Sequence, residues 1–367
     1  MSASEGVSSA AAAGGILTIG VDAVVANWKS LAARVAPARS AAVVKADAYG
    51  LGAAPLVGPL YDAGCRDFFV VTLSEAKALR PLLPPDATIY VLNGLLPGTA
   101  AGYGNGVLPV LNSVAQCRAW AEVSRGNRQS VVQVDTGMSR LGLDVAEQQM
   151  LADDPGLLAA TGARLIMSHL ACADEPDKSA SGEQLDAFRA AHSRLPGLPG
   201  SLAASSGIFL GADYHFDLTR PGAALYGIET SPLADGIRPV VDLRVRVAQI
   251  REIEMGTSVG YGYTFRASRT TRLATLATGY ADGWWRRFSN GAGAAYHGDT
   301  RLPSVGRVSM DSFSVDISAL PAGTLAEGDL LELIGPHQSA DDLARAAGTI
   351  GYEVLTSLGR RYHRVYR

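Results

Sequence analysis

The sequence predicts an α/β chain: a (β/α)8 barrel of the TIM type followed by a mostly β domain. Three observations carry that prediction. From about residue 21 to 235, short β-rich runs alternate with longer amphipathic segments. The short runs are nearly continuous in apolar residues, as strands of a parallel sheet buried on both faces must be. After residue 236 the pattern changes to alternating and β-branched segments broken by Gly- and Pro-containing turns.

Eight strands are expected in the first region: 40–45 (SAAVVK), 67–72 (DFFVVT), 88–93 (TIYVLN), 107–111 (VLPVL), 130–135 (SVVQVD), 164–169 (RLIMSH), 200–204 (GSLAA) and 215–219 (HFDLT). Between them lie helical patterns such as SEAKALRPLL, SVAQCRAWAEVSR and SGEQLDAFRAAHSRL, each opened by a serine able to cap a helix. Eight strand–helix units in about 210 residues match a barrel in count and size. A doubly wound open sheet is the runner-up. It needs fewer units, and no G-x-G-x-x-G follows the first strand. In the second region VVDLRVRVAQIREIE, TRLATLATG, FSVDIS and DLLELIG read as strands, and 339–347 (SADDLARAA) as a helix. The expected domains are therefore a flexible tail over 1–14, the barrel over 15–235 and the β-rich domain over 236–367. The early run ILTIG at 16–20 is free to pair with the later sheet.

Composition narrows the function. In 367 residues, 47% hydrophobic and 18% charged content supplies a large core and excludes a disordered chain. A net charge of −3 argues against nucleic acid as a partner. No apolar run approaches the ~18–20 residues of a membrane span. Cys65, Cys117 and Cys172 are odd in number and scattered, which implies neither a disulfide framework nor a metal site and points to a reducing compartment. The amino terminus, MSASEGVSSAAAAGG, lacks the basic start and long apolar core of a signal peptide, so a cytoplasmic location is expected. Only four lysines occur, Lys29, Lys45, Lys77 and Lys178, so chemistry that needs a primary amine has few candidates.

A barrel carries its reactive groups where strands end and βα loops begin. The first strand closes at Lys45 in VVKADAYGLG. The fifth runs into VDTGMSRLG with Arg140. The sixth closes at His169 in MSHLACADE, the seventh runs into Ser205 in LAASSG, and the eighth closes at Arg220 in LTRPGAALYG. Each alone has an ordinary explanation. Lysine can snorkel, histidine can pack, arginine can lie on the surface and serine can shape a turn. Five polar groups at five strand ends of one rim are not explained by stability.

The run VVKADAYGLG resembles the pyridoxal-phosphate (PLP) lysine motif of alanine racemases. The resemblance continues in family order through VDTGMSRLG, SHLACADE, RPGAALYG, VGYGYTF, TGYADG, VGRVSMD and TIGYE, and so covers nearly the whole chain. It implies a PLP-binding barrel with a C-terminal β domain, a homodimer with active sites shared between subunits, and interconversion of L- and D-alanine, either supplying D-alanine for peptidoglycan or catabolising it. Lys45 matches the lysine that binds PLP covalently. Tyr49, Ser205, Gly222 and Ala223 match the groups around the cofactor phosphate, with Pro221 and Gly222 opening a helical run whose dipole can face the phosphate. Arg220 matches the arginine that faces the pyridine nitrogen, His169 the histidine on the ring face, and Arg140 the arginine near the phenolic oxygen and the substrate carboxylate. A cation at the pyridine nitrogen disfavours its protonation and so weakens the ring as an electron sink.

Racemisation needs a base on each face of the substrate α-carbon. The resemblance makes Lys45 one base and Tyr261, in VGYGYTF, the other, donated by the second subunit. A tyrosine with an ordinary pKa of ~10 is a poor base near neutrality, so a positive neighbourhood is required. Met310 and Asp311 match the substrate-carboxylate side of the site. Tyr280 and Tyr352 match tyrosines that narrow the entrance, Tyr352 also on the cofactor side, and Arg286 and Arg307 match entrance arginines. A narrow, tyrosine-lined pocket favours a methyl side chain.

Three positions depart from the family pattern. A commonly carbamylated lysine is replaced by Gln133, which can hydrogen-bond Arg140 but supplies no anion. Ala204 stands where asparagine is common, and Ser309 where cysteine is common. Three other readings compete. A broad-specificity amino-acid racemase would share the chemistry with a looser entrance. A non-catalytic PLP-binding protein would resemble the barrel alone, and PLP decarboxylases of related fold lack VGYGYTF.

Overall fold

The structure, a computed structural model, describes residues 10–367. Two compact units divide the described chain. One runs from Asp22 to Arg238; the other joins the residues up to Val21 with Pro239–Arg367.

The Asp22–Arg238 unit is the barrel. Seven parallel strands follow in chain order: Ala42–Val43, Asp67–Val70, Thr88–Val91, Val107–Leu111, Ser130–Gln133, Ala163–Met167 and Gly200–Ser201. The eighth, Leu218–Thr219, pairs in parallel with Arg39–Ser40, the segment leading into the first strand. On its other side the Arg220 N–H donates to Ala203 O at 2.9 Å, and Val43 N–H reaches Pro221 O at 2.9 Å. Those bonds close the ring. All eight strands expected from the sequence are present; Val107–Leu111 has the expected bounds, and the other seven are shorter than expected at one or both ends. The strand interiors are fully buried, as in Asp67–Val70 and Val107–Leu111, which is why their sequences lack alternation. Phe69 and Tyr90 stack inside at 4.4 Å between ring centroids.

Helix starts needed correction. SVAQCRAWAEVSR begins as expected, with Ser113 Oγ accepting the Gln116 N–H at 3.2 Å. For SEAKALRPLL the cap is Thr72, two residues before Ser74, in a reciprocal capping box with Glu75. For SGEQLDAFRAAHSRL the helix is Ala180–Arg194, so Ser181 lies inside it, buried, with a hydroxyl that lacks a protein partner.

The second unit is built on an antiparallel sheet centred on the long strand Val241–Ile253. ILTIG forms the strand Gly15–Ile19 in this sheet, antiparallel to Val241–Val245 and parallel to His363–Tyr366. Sequence reading found Thr271–Leu276, Phe313–Asp316, Leu330–Ile334 and the helix Ala340–Ala347, capped by Ser339. It missed the hairpin Ala294–His297 with Thr300–Val305 and the helix Gly351–Ser357. The tail expected over 1–14 lies outside the described residues as far as residue 9. From there on, Arg246 donates to Ala10 O and Ala13 O, each at 3.0 Å. Among the described residues no helix is long and apolar enough to cross a membrane.

Candidate active site

Lys45 does not end a strand in the ordinary way. After Val44, residues 46–48 turn into the left-handed region, with φ of 52°, 54° and 53°, and Tyr49 continues at 56°. Four consecutive non-glycine residues in this region are rare, because each Cβ crowds the following carbonyl. The turn is held by Gly50 N–H to Ala46 O at 2.8 Å and Gly52 N–H to Asp47 O at 2.8 Å. Asp47 Oδ1 also accepts the Ala53 N–H at 2.8 Å. Burial holds the Lys45 amine below the ordinary lysine pKa, with the positive charges of Arg140 and Arg220 acting the same way and Glu75 opposing. A lysine in this setting spends more time neutral, and therefore nucleophilic, than one in water.

Around the amine stands a cradle. Ser205 Oγ accepts N–H bonds from Gly222 at 2.9 Å and Ala224 at 3.2 Å. The run after Pro221 is not an α-helix but a four-residue 3₁₀ turn, Ala223–Tyr226. The expected helix dipole is therefore too short to matter, and the amides themselves are the polar groups on offer. Gly222 is required by space: a Cβ there would lie 2.4 Å from the Tyr49 hydroxyl oxygen. That hydroxyl thus sits directly against the cradle, while the Tyr49 ring packs 5.0 Å from Tyr226.

Arg220 is 3% exposed and donates to Ser201 Oγ, Ser168 O and Leu202 O. Burial lowers its pKa to about 9, which leaves it protonated at neutral pH. Its direction is therefore locked by oxygens of two neighbouring strands. His169 is pulled down to about 3 by burial and by the cations Arg220, Arg140 and Lys45, so its imidazole is neutral. The loop bearing Arg140 folds on Asp135, whose Oδ1 accepts N–H bonds from Gly137, Met138 and Ser139 at 2.9, 3.0 and 3.1 Å. Gly142 ends the motif because a Cβ would meet Val134 C at 2.6 Å. Gln133, an amide able to bond Arg140, donates from Nε2 to Leu141 O at 3.2 Å. The shorter, neutral amide is satisfied by the nearer backbone carbonyl.

The other unit carries the remaining expected residues. Tyr261 sits on the turn of a short hairpin, Ser258–Val259 with Phe265–Arg266, and is 68% exposed. The Arg307 guanidinium packs against this turn, since a Cβ on Gly262 would lie 2.9 Å from it. Tyr280 opens the turn Tyr280–Asp282, which docks on the Met310 loop: Tyr280 N–H donates to Ser309 O and Ala281 N–H to Met310 O, both at 3.0 Å. Arg361 ties the same loop down, donating to both Asp282 oxygens at 2.5 and 2.7 Å and to Asp311 Oδ1 at 2.6 Å. Arg286 is exposed on its own 3₁₀ turn, and Tyr352 is half-buried in the first turn of Gly351–Ser357.

Within the barrel unit, then, the structure gathers Lys45, Tyr49, Arg140, His169, Ser205, Arg220, Gly222 and Ala223 at the C-terminal ends of the strands. Within the other unit it groups Tyr261 with Arg307, and Tyr280 with Met310 and Asp311. Sequence reading missed three supporting side chains: Glu75, Arg361 and Gln184. Buried Gln184 donates to Thr136 Oγ1 and His169 O and accepts the Ala171 N–H, so it joins two catalytic-end loops. Only Glu75 left a local signal, the T-x-x-E pattern of Thr72–Glu75.

The chain matches the family described as "Alanine racemase, N-terminal domain" over residues 19–230 and "Alanine racemase, C-terminal domain" over 240–366. The chain belongs to the alanine racemase family. An alanine racemase of Brucella ovis is 52% identical, over 97% of this chain and 94% of its own. A catabolic alanine racemase of Mesorhizobium japonicum is 51% identical, over 98% of this chain and 94% of its own. Among solved structures, alanine racemase from Bartonella henselae with covalently bound pyridoxal phosphate has a TM-score of 0.92 at 42% identity, covering 97% of this chain and all of that one. Biosynthetic alanine racemase from Pseudomonas aeruginosa has a TM-score of 0.87 at 35% identity, over 97% of this chain and 99% of that one.

Proposed function

We propose that this chain is an alanine racemase that uses PLP and two bases, Lys45 and Tyr261, one on each face of the substrate α-carbon. The observation that carries the reading is the Lys45 environment. A primary amine whose pKa is lowered by burial stands at a barrel strand end among Arg140, Arg220 and a neutral His169. Such a cluster of cations suits an anionic ligand.

The residues present fit PLP. Ser205, the amides of Gly222 and Ala223 and the Tyr49 hydroxyl would hold its phosphate, in a cradle that a Cβ at Gly222 would fill. Arg220 would face the pyridine nitrogen, and His169 the ring. When bound, PLP supplies an aldehyde that joins to amines and a ring that acidifies the α-proton of the attached amino acid. The protein supplies the rest. Lys45 anchors the group and, once released from it, removes or returns the α-proton at Nζ. Arg220, remaining charged, would keep the pyridine nitrogen unprotonated and so limit side reactions. Tyr261 Oη serves the opposite face, on a turn against which the Arg307 guanidinium packs. Arg140 orients the substrate carboxylate, as do the Met310 backbone and Asp311, the latter fixed by Arg361.

A tyrosine exposed to 68%, with Tyr263 beside it at 74%, is an unusual base for a closed site. That exposure supports a homodimer in which each chain lends Tyr261 to its partner. Tyr280, Tyr352, Arg286 and Arg307 form the entrance and favour alanine over larger amino acids. The reaction is reversible, so the same site serves D-alanine supply for peptidoglycan or alanine breakdown, in the cytoplasm.

Mass mapping of the protein after borohydride reduction in the presence of PLP tests the anchor. We expect the adduct on the peptide containing Lys45 and its loss in Lys45→Ala. An adduct retained in that variant, on Lys29, Lys77 or Lys178, contradicts the assignment.

A further inference from the structure

Glu75 lies outside the site as described, in the first turn of the helix Leu73–Leu79, yet it is bonded to it. One carboxylate oxygen, Oε2, accepts the Val71 N–H at 2.8 Å and the Thr72 N–H at 3.0 Å, as a capping-box glutamate does. The other, Oε1, reaches across to the loop after the first strand and accepts the Ala46 N–H at 2.6 Å. Ala46 is the residue after Lys45 and the first of the four left-handed residues. Its amide shares a rigid plane with the Lys45 carbonyl. Fixing that amide fixes the Lys45 peptide, and with it the direction in which the lysine side chain leaves the backbone. Asp47 secures the far end of the same turn through Ala53.

We propose that Glu75 is a positioning residue for Lys45: its carboxylate ties the strained turn that begins at the lysine to the capped end of the next strand's helix, and so aims the amine. The proposal rests on reading Lys45 as the reacting amine. It explains why one carboxylate bridges two elements, when a capping box alone would engage only its own helix. It also has an electrostatic side. The charged and titratable groups that act on Lys45 are Arg140 and Arg220, His169, Glu75 and, on its own turn, Tyr49, whose ring centroid is 5.9 Å from Nζ. Among them Glu75 is the anion that favours the protonated amine. The carboxylate therefore fixes the direction of the lysine and opposes the lowering of its pKa by burial and by Arg140.

Three variants separate these effects from simple helix stability. Glu75→Gln keeps the size and removes the charge. Glu75→Ala removes the bridge. Thr72→Ala weakens the capping box, whose Oγ1 accepts the Glu75 N–H at 3.2 Å, without touching Ala46. Two readouts are taken on the full-length chain: amide hydrogen exchange of the peptide spanning Ala46, and the pH dependence of the rate at which added PLP is captured, followed by absorbance. We expect Glu75→Ala to speed exchange at Ala46 at least about tenfold. We expect Glu75→Gln to move the capture profile to lower pH, and Thr72→Ala to change neither while lowering the melting temperature. The proposal is overturned if both Glu75 variants keep wild-type exchange and pH profile, or if Thr72→Ala reproduces their effects. Failure of the wild-type chain to capture PLP at Lys45 would instead refute the underlying reading, and the exchange measurement would still decide on the clamp.

Discussion

Position 45 shows how much one residue can state. Lysine is scarce in this chain, yet it is kept where a strand meets the catalytic end of the barrel. Arginine, abundant everywhere else, stays charged and can neither form an imine nor shuttle a proton. At position 133 the opposite holds, since a neutral amide serves by bonding Leu141 O. His337 offers a residue-level test away from the site. Its Nδ1 lies 3.2 Å from both oxygens of buried Glu332, its Nε2 lies 3.0 Å from Asp299, and its ring stacks on Tyr296. The hydrogen bonds to Asp299 and then Glu332 raise its pKa above the ordinary 6.5. A raised folded-state value means that the protonated imidazole adds stability in full below pH 6.5, and that this contribution is lost as pH rises through the folded value. Thermal melts of wild type and His337→Gln between about pH 5.5 and 8.5 should therefore converge toward the alkaline end. A constant difference across the range would refute the coupling.

The left-handed turn after Lys45 is the element that the sequence hid. The residues ADAY show no glycine until Gly50, and nothing in alanine or tyrosine advertises positive φ. The turn is held both by its own backbone bonds and by a partner distant in sequence, Glu75 on Ala46, so a strand simply running to Lys45 was the natural expectation. The Tyr261 hairpin and the helix Gly351–Ser357 were hidden because they are short, and the helix has no side-chain cap. By contrast, the buried apolar strands and the Ser339-capped helix follow local rules and were legible. The strain can be measured. Ala46 is exposed and its φ of 52° suits glycine. Ala46→Gly keeps the amide that Glu75 holds, so it should stabilise the fold by roughly 0.5–1 kcal/mol, strain relief outweighing the added unfolded-state entropy. Urea titration with an unchanged slope would read this as a higher midpoint. A lower midpoint would show that the turn is not strained.

At the scale of the whole molecule, the chain contributes the strand Gly15–Ile19 to the antiparallel sheet, builds the complete barrel, and returns to the sheet at Val241. Eight motifs spread along it in family order made the family readable. The supporting side chains were not readable in this way. Arg361 lies 79 residues from Asp282 and 50 from Asp311, and no local pattern links them. The division of labour between Lys45 in one unit and Tyr261 in the other is the central claim. Its most direct test is α-proton exchange of each alanine enantiomer in deuterated water, for wild type, Lys45→Ala and Tyr261→Phe, with PLP present. Wild type should invert both enantiomers with deuterium gained at the α-carbon, and Lys45→Ala should neither exchange nor invert. Tyr261→Phe should lose inversion while still exchanging the one enantiomer whose α-proton faces Lys45. Normal racemisation by both variants would contradict the two-base account.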